Sequence, residues 1–242
     1  MPSTRLARHA TLLCAALFLT APAPAQEEKP SLPSSPAPQS APERPAKPGL
    51  AVGDKVPDSI LLNEQGKEVK LSSLWKEGPV VITFYRGGWC PYCNLALAAW
   101  HDKTPELKAA GASLVAISPE TPEHLHKTRG KAKSDYVALC DAKGDAARGM
   151  KVIFRLDAET QQKYRGFGVD LHKRNQSGEW DLPAPATFIV DREGVVRWVF
   201  AEWDYKKRAE PAEVIAAVKA LKTSTPTKPA EATPSAAKPE SK

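Results

Sequence analysis

The stretch Val80-Val81-Ile82-Thr83-Phe84-Tyr85-Arg86-Gly87-Gly88-Trp89-Cys90-Pro91-Tyr92-Cys93 decides how the rest of the chain is read. Val80 to Tyr85 are β-branched or aromatic with almost no polar alternation, as expected of a central strand buried on both faces. Arg86 to Trp89 read as a tight turn containing two glycines. Pro91 fits the first turn of a helix, where its missing N–H costs nothing. The two cysteines therefore stand where a strand gives way to a helix, one helical turn apart. Free backbone N–H groups and the helix dipole at such a position favour a thiolate. A thiolate is the attacking species in disulfide exchange and in peroxide reduction. Cys93 is placed to attack a sulfenic acid or mixed disulfide at Cys90 and to close an internal disulfide. The whole reading requires a Cys90 sulfur that is both ionised and reachable. Arg86 could add positive potential. Two other readings stay open on spacing alone: a zinc site, which would need four ligands with Cys140 and scattered histidines completing it, and a purely structural disulfide.

Outward from this stretch, short apolar runs and breakers mark the other elements. Ser59 to Leu62 and Glu68 to Leu71 read as two strands around the turn Asn63 to Gly66. The helix opened by Pro91 runs through Leu95, Leu97, Trp100 and Leu107, and Pro105 bends or divides it. Ser113 to Ser118 is a second buried strand, Pro122 to Lys131 a polar helix, Tyr136 to Cys140 a third strand and Gly144 to Met150 a helical segment. Residues 157–182 read as irregular and polar. Thr187 to Asp191 and Val195 to Phe200 form a hairpin, and Pro211 opens a last helix with Val214, Ile215, Val218 and Leu221 at helical spacing. The order predicts an α/β fold, a mixed sheet with helices on both faces.

The chain has 242 residues, 42% of them hydrophobic, so a real core is possible. Residues 22–48 hold nine prolines and residues 226–239 four more, which sets residues 26–49 and 223–242 apart as a disordered linker and tail. Residues 50–222 then form one domain of ordinary size. A net charge of +6 comes from 34 basic and 28 acidic residues that interleave. No nucleic-acid motif appears, and the Lys206-Lys207-Arg208 cluster reads as a solvated face. Arg5, Arg8, the apolar run Thr11 to Thr20 and Ala23-Pro24-Ala25 have the order of a secretory signal peptide, with cleavage expected after Ala25. The run is too short to span a bilayer, so no membrane insertion is expected after cleavage, and the mature chain would be periplasmic or extracellular. Exported dithiols stay oxidised unless something reduces them, so a reducing role needs an electron donor. Cys140 ends an apolar strand and reads as a buried, inert thiol.

Three stretches together resemble the redoxin group of the thioredoxin superfamily, the alkyl hydroperoxide reductase and thiol-specific antioxidant type, within its bacterial peroxiredoxin-like subgroup. They are Phe84 to Asn94, Ala116-Ile117-Ser118-Pro119-Glu120, and Pro185-Ala186-Thr187-Phe188-Ile189-Val190-Asp191. The resemblance implies a thioredoxin-like fold over residues 50–220, Cys90 as the attacking cysteine, Cys93 as its resolving partner and a thioredoxin-like protein as electron donor. Peroxide reduction by such a pair needs no metal or organic cofactor. Gly87 stands where typical peroxiredoxins carry a threonine. Pro185 stands where they carry an arginine and where thioredoxins place a cis-proline that seats an extended substrate. The leading expectation is peroxide reduction, with Arg86 and the backbone amides of Gly88, Trp89 and Cys90 facing the leaving oxygen. The alternatives are an exported disulfide reductase that uses Pro185 to seat a protein disulfide, and a non-enzymatic redoxin-fold binding or sensor module.

Overall fold

The computed structural model describes residues 45–133 and 135–223. The export segment, its cleavage point, most of the proline-rich stretch and nearly all of the tail lie outside the described residues. Packing starts slightly ahead of the expected domain start at Leu50: Pro48 is buried, and the Gly49 amide donates to the Lys151 carbonyl at 2.9 Å.

In chain order the elements are β1 (Ile60–Leu62), β2 (Glu68–Lys70), a 3-10 turn (Leu71–Ser73), β3 (Val80–Phe84), α1 (Pro91–Ala98), α2 (Thr104–Ala109), β4 (Ser113–Ser118), α3 (Pro122–Ala132), β5 (Val137–Cys140), α4 (Asp145–Gly149), β6 (Ile153–Arg155), α5 (Ala158–Gly166), α6 (Leu171–Arg174), β7 (Asp181–Pro183), β8 (Ala186–Val190), β9 (Val196–Ala201) and α7 (Pro211–Thr223). Seven strands form one sheet in the order β2-β1-β5-β4-β3-β8-β9. β3 runs parallel to β4, with Phe84 opposite Ile117, and antiparallel to β8, with Phe84 opposite Ala186. This central placement explains the near absence of polar alternation in Val80 to Tyr85.

Period-two alternation divides β3 between two cores. Val80, Ile82 and Phe84 pack with Leu71, Trp75, Phe188 and the α4 residues Ala146 and Ala147. Val81 and Tyr85 point the other way, among Leu97 of α1, Leu107 of α2, Leu125 of α3 and Val214, Ile215 and Val218 of α7. Helices therefore cover both faces, and both redox cysteines lie on the second side. Pro105 divides the expected helix: Thr104–Ala109 starts afresh with its proline in the first turn.

Residues 157–182 are the main correction. They carry α5, α6 and the start of β7, and β6 pairs with β7 at the base of this excursion, Phe154 opposite Leu182. Leu156, Leu171, Trp180 and Leu182 bury a small third cluster, with Trp89, Phe154, Tyr164 and Val169 packed against it. Its apolar residues follow neither a 2 nor a 3.6 period, and α5 buries no residue of its own, so no periodic signal marks it. What starts α5 is local: the Asp157 carboxylate accepts from the Thr160 amide at 2.8 Å.

Candidate active site

β3 releases the chain at Phe84, and α1 takes it up at Pro91. The loop between them is built on its two glycines. Gly87 has φ +146°, and a Cβ there would lie 2.4 Å from Trp89 Nε1. At Gly88 a Cβ would fall 2.0 Å from the Thr128 hydroxyl of α3. That hydroxyl and the Gly88 amide both donate to the buried carboxylate of Glu120, at 3.3 and 2.9 Å. Glu120, just beyond β4, thus ties the cysteine loop to α3. Burial pushes its carboxyl up, and the two donors work against that push.

Cys90 occupies the N-cap position of α1 in an extended conformation. Its thiol is lowered to about 5, first by a hydrogen bond from the Cys93 thiol and then by the Arg86 charge and hydrogen bond, against the opposing effect of burial. Arg86 Nη2 donates to Cys90 Sγ at 3.1 Å. The helix terminus ranks below both: the Cys93 backbone amide is the smallest of the causes that lower this thiol. Cys93 goes the opposite way. Burial, donation to Cys90 and the charge there hold its thiol well above the usual range. Such divergence within a pair assigns one attacking sulfur and one proton-holding partner.

The expected accessibility of Cys90 is not found: the residue is 0% exposed. Its cover is the Arg86 guanidinium, itself enclosed by aromatic rings. Arg86 Nη1 donates to the Tyr164 hydroxyl at 2.8 Å, and its Cζ lies 4.1 Å from the Tyr205 ring centroid and 5.2 Å from that of Trp89. Trp89 meets Tyr164 edge-on at 5.4 Å, and Tyr92 meets Tyr205 at 5.5 Å. Tyr164 comes from the excursion and Tyr205 from the segment between β9 and α7. Neither carries a sequence signal tying it to the cysteines. Arg208 is also misplaced by sequence alone, because a Lys-Lys-Arg run reads as solvated. It turns inward instead, Nη2 donating to Cys93 Sγ at 3.3 Å.

Two expected oxygen donors are already engaged. The Gly88 amide is held by Glu120, and the Cys90 amide donates to the Gly87 carbonyl at 3.1 Å. By contrast, Arg86 Nε and the Trp89 indole N–H are buried without a hydrogen-bond partner. Pro185 immediately precedes β8, next to the residue opposite Phe84, beside the end of β3 from which the cysteine loop departs. Its peptide bond is trans, and its carbonyl accepts from the Glu202 amide at 3.1 Å. Cys140 is buried, and burial followed by the Asp141 charge pushes its thiol up to about 12. All three described cysteines are free thiols. Among the described residues, no group of three or more His, Cys, Asp or Glu side chains is placed to hold a metal ion.

Comparison with known proteins gives a consistent picture. The AhpC/TSA family pattern matches residues 52–199. The chain is 31% identical over 151 residues to the chloroplastic peroxiredoxin Q of Suaeda salsa, a match covering 62% of this chain and 60% of that protein. It is 25% identical over 154 residues to peroxiredoxin Bcp of Escherichia coli strain K12, covering 64% and 87% respectively. The chain thus spans only about three fifths of the plant relative and most of the bacterial one. The crystal structure of peroxidoxin BcpB from Mycobacterium tuberculosis superposes with a TM-score of 0.56 at 26% identity, over 70% of this chain and 97% of that one. A peroxiredoxin-like protein from Aquifex aeolicus shares the fold at 19% identity and a TM-score of 0.56.

Proposed function

Because the chain belongs to the AhpC/TSA family, we propose that it reduces hydrogen peroxide or organic hydroperoxides through Cys90 and Cys93, with electrons from a thioredoxin-like dithiol. The observation that carries this reading is the Cys90 sulfur, held ionised near neutrality by Cys93 and by the Arg86 guanidinium 3.1 Å away. The thiolate attacks one peroxide oxygen. The O–O bond breaks, and the other oxygen leaves as water or alcohol after taking a proton. Cys90 becomes a sulfenic acid. Cys93 then displaces its hydroxyl, forming the Cys90–Cys93 disulfide and a second water. An external dithiol returns the pair to its starting state.

The donors available to the leaving oxygen are Arg86 Nε and the Trp89 indole N–H, both buried and unpartnered. Preorganised donors of this kind stabilise developing charge without reorganisation cost. A solvent-borne peroxide reaches a 0% exposed sulfur only when its cover moves. The outer layer of that cover, the rings over Arg86, borders solvent: Tyr205 is 39% exposed and Tyr164 half-buried. Exposed Tyr92 and Leu95 on α1 give a reducing protein an apolar landing beside the pair.

The test is steady-state consumption of hydrogen peroxide and an alkyl hydroperoxide, coupled to a thioredoxin system. Turnover that disappears in Cys90→Ser is expected. Fast exchange with a protein disulfide and negligible peroxide turnover would instead favour the disulfide-reductase reading. Residues 1–25 support export to the periplasm or beyond, and N-terminal sequencing of the mature protein should begin at Gln26.

A further inference from the structure

The peroxide reading uses one guanidinium, yet the pair has two. Arg208 approaches from the segment between β9 and α7 and places Nη2 3.3 Å from Cys93 Sγ. Its Nη1 donates to the backbone carbonyls of Tyr205 and Lys207. Nε is buried without a partner, and among the described residues no carboxylate ion-pairs with it. The backbone bonds fix the head group, while its charge is left for the sulfur. The same segment lays Tyr205 on Arg86, so one loop serves both cysteines.

We propose that Arg208 is a catalytic residue of the resolving step, holding the Cys93 sulfur as the thiolate that attacks the Cys90 sulfenic acid. This rests on the peroxide reading above. Before oxidation, burial, the hydrogen bond to the Cys90 thiolate and that neighbouring charge all keep the proton on Cys93. Oxidation turns Cys90 into a neutral sulfenic acid and removes the last two, leaving the Arg208 charge to work against burial alone. Arg208 keeps its position and its charge. The Cys93 sulfur then forms the S–S bond, the Cys90 S–O bond breaks, and the leaving hydroxide combines with the Cys93 proton as water. Two cations divided between two sulfurs thus order the steps: the Cys93 hydrogen bond and Arg86 ionise Cys90 first, and Arg208 acts once that charge is gone.

Two measurements on the reduced full chain test the assignment. In stopped-flow with hydrogen peroxide, Arg208→Met is expected to slow consumption of the Cys90 sulfenic acid about tenfold at fixed pH, the effect of one unit in thiol pKa, and to slow its formation far less. Arg208→Lys should recover part of the loss. In a Cys90→Ser background, the thiolate absorbance of Cys93 is titrated. Its midpoint should rise by about one unit in Arg208→Met and by less in Arg208→Lys. An unmoved titration, or equal slowing of both kinetic phases, overturns the proposal. If the unaltered protein forms no sulfenic acid with peroxide, the peroxidase reading and the resolving step fail together, while the titration still decides whether Arg208 ionises Cys93.

Discussion

Replacing Arg86 with methionine separates two duties that one side chain performs. The substitution keeps much of the buried volume and removes the donor 3.1 Å from Cys90 Sγ. A hydrogen bond to a charged group is worth roughly 1.5–3 kcal/mol, and this one is only 5% exposed, so solvent screens it little. That range corresponds to about 1–2 pKa units. Cys90 should therefore move from about 5 to between about 6 and 7. At pH 5 the thiolate fraction falls from about one half to between about one tenth and one hundredth, a loss of about five- to fiftyfold. At pH 8 both proteins are almost fully ionised at Cys90, so the ionisation effect vanishes. Any defect that persists there measures Arg86 as a donor to the leaving oxygen, which can reach about 10²–10³. The assay is the rate of sulfenic acid formation across pH 4 to 9, read beside the thiolate absorbance. The native rate should fall as pH drops through about 5 and stay level above it. A variant midpoint that stays at about 5 would refute the role given to Arg86.

Further outcomes follow from the same geometry. Cys93→Ala removes the leading donor to Cys90, so the Cys90 midpoint should rise; its sulfenic acid should also persist, detectable with a dione trap and mass spectrometry. Gly88→Ala drives a methyl group into Thr128 and disturbs the Glu120 bond to the loop, and denaturant unfolding should show a loss of about 1–3 kcal/mol. Cys140, buried and pushed up to about 12, should stay unmodified by iodoacetamide at pH 8 in the native protein and react only on unfolding.

Much of the fold is visible in residue patterns because period and punctuation agree. The run Val80 to Tyr85, the prolines at 91, 105, 122 and 211, and the apolar spacing of Val214, Ile215 and Val218 each mark an element that the structure contains. The excursion over 157–182 is not visible, because a four-residue cluster spread from Leu156 to Leu182 has no period. The site divides in the same way. Cys90, Cys93 and Arg86 are legible because they lie within one short stretch whose strand and helix fix their spacing. Tyr164, Tyr205 and Arg208 reach the pair from 70 or more residues away, and their side-chain types point equally well to a solvated surface. Glu120 stands between. Its Pro119-Glu120 context belongs to the recognised pattern, but only the packed loop shows why a carboxylate is buried there. The sealing of Cys90 follows from those distant residues, so a reading of the motif alone expects an open sulfur.

The most direct test is the second-order rate constant of the reduced protein with hydrogen peroxide at pH 7.5, followed by stopped-flow tryptophan fluorescence, to which Trp89 contributes from beside the pair. The account predicts a rate at least about a hundredfold above that of an equally ionised free thiolate, and no fast phase in Cys90→Ser. A rate no greater than that of the free thiolate would contradict it.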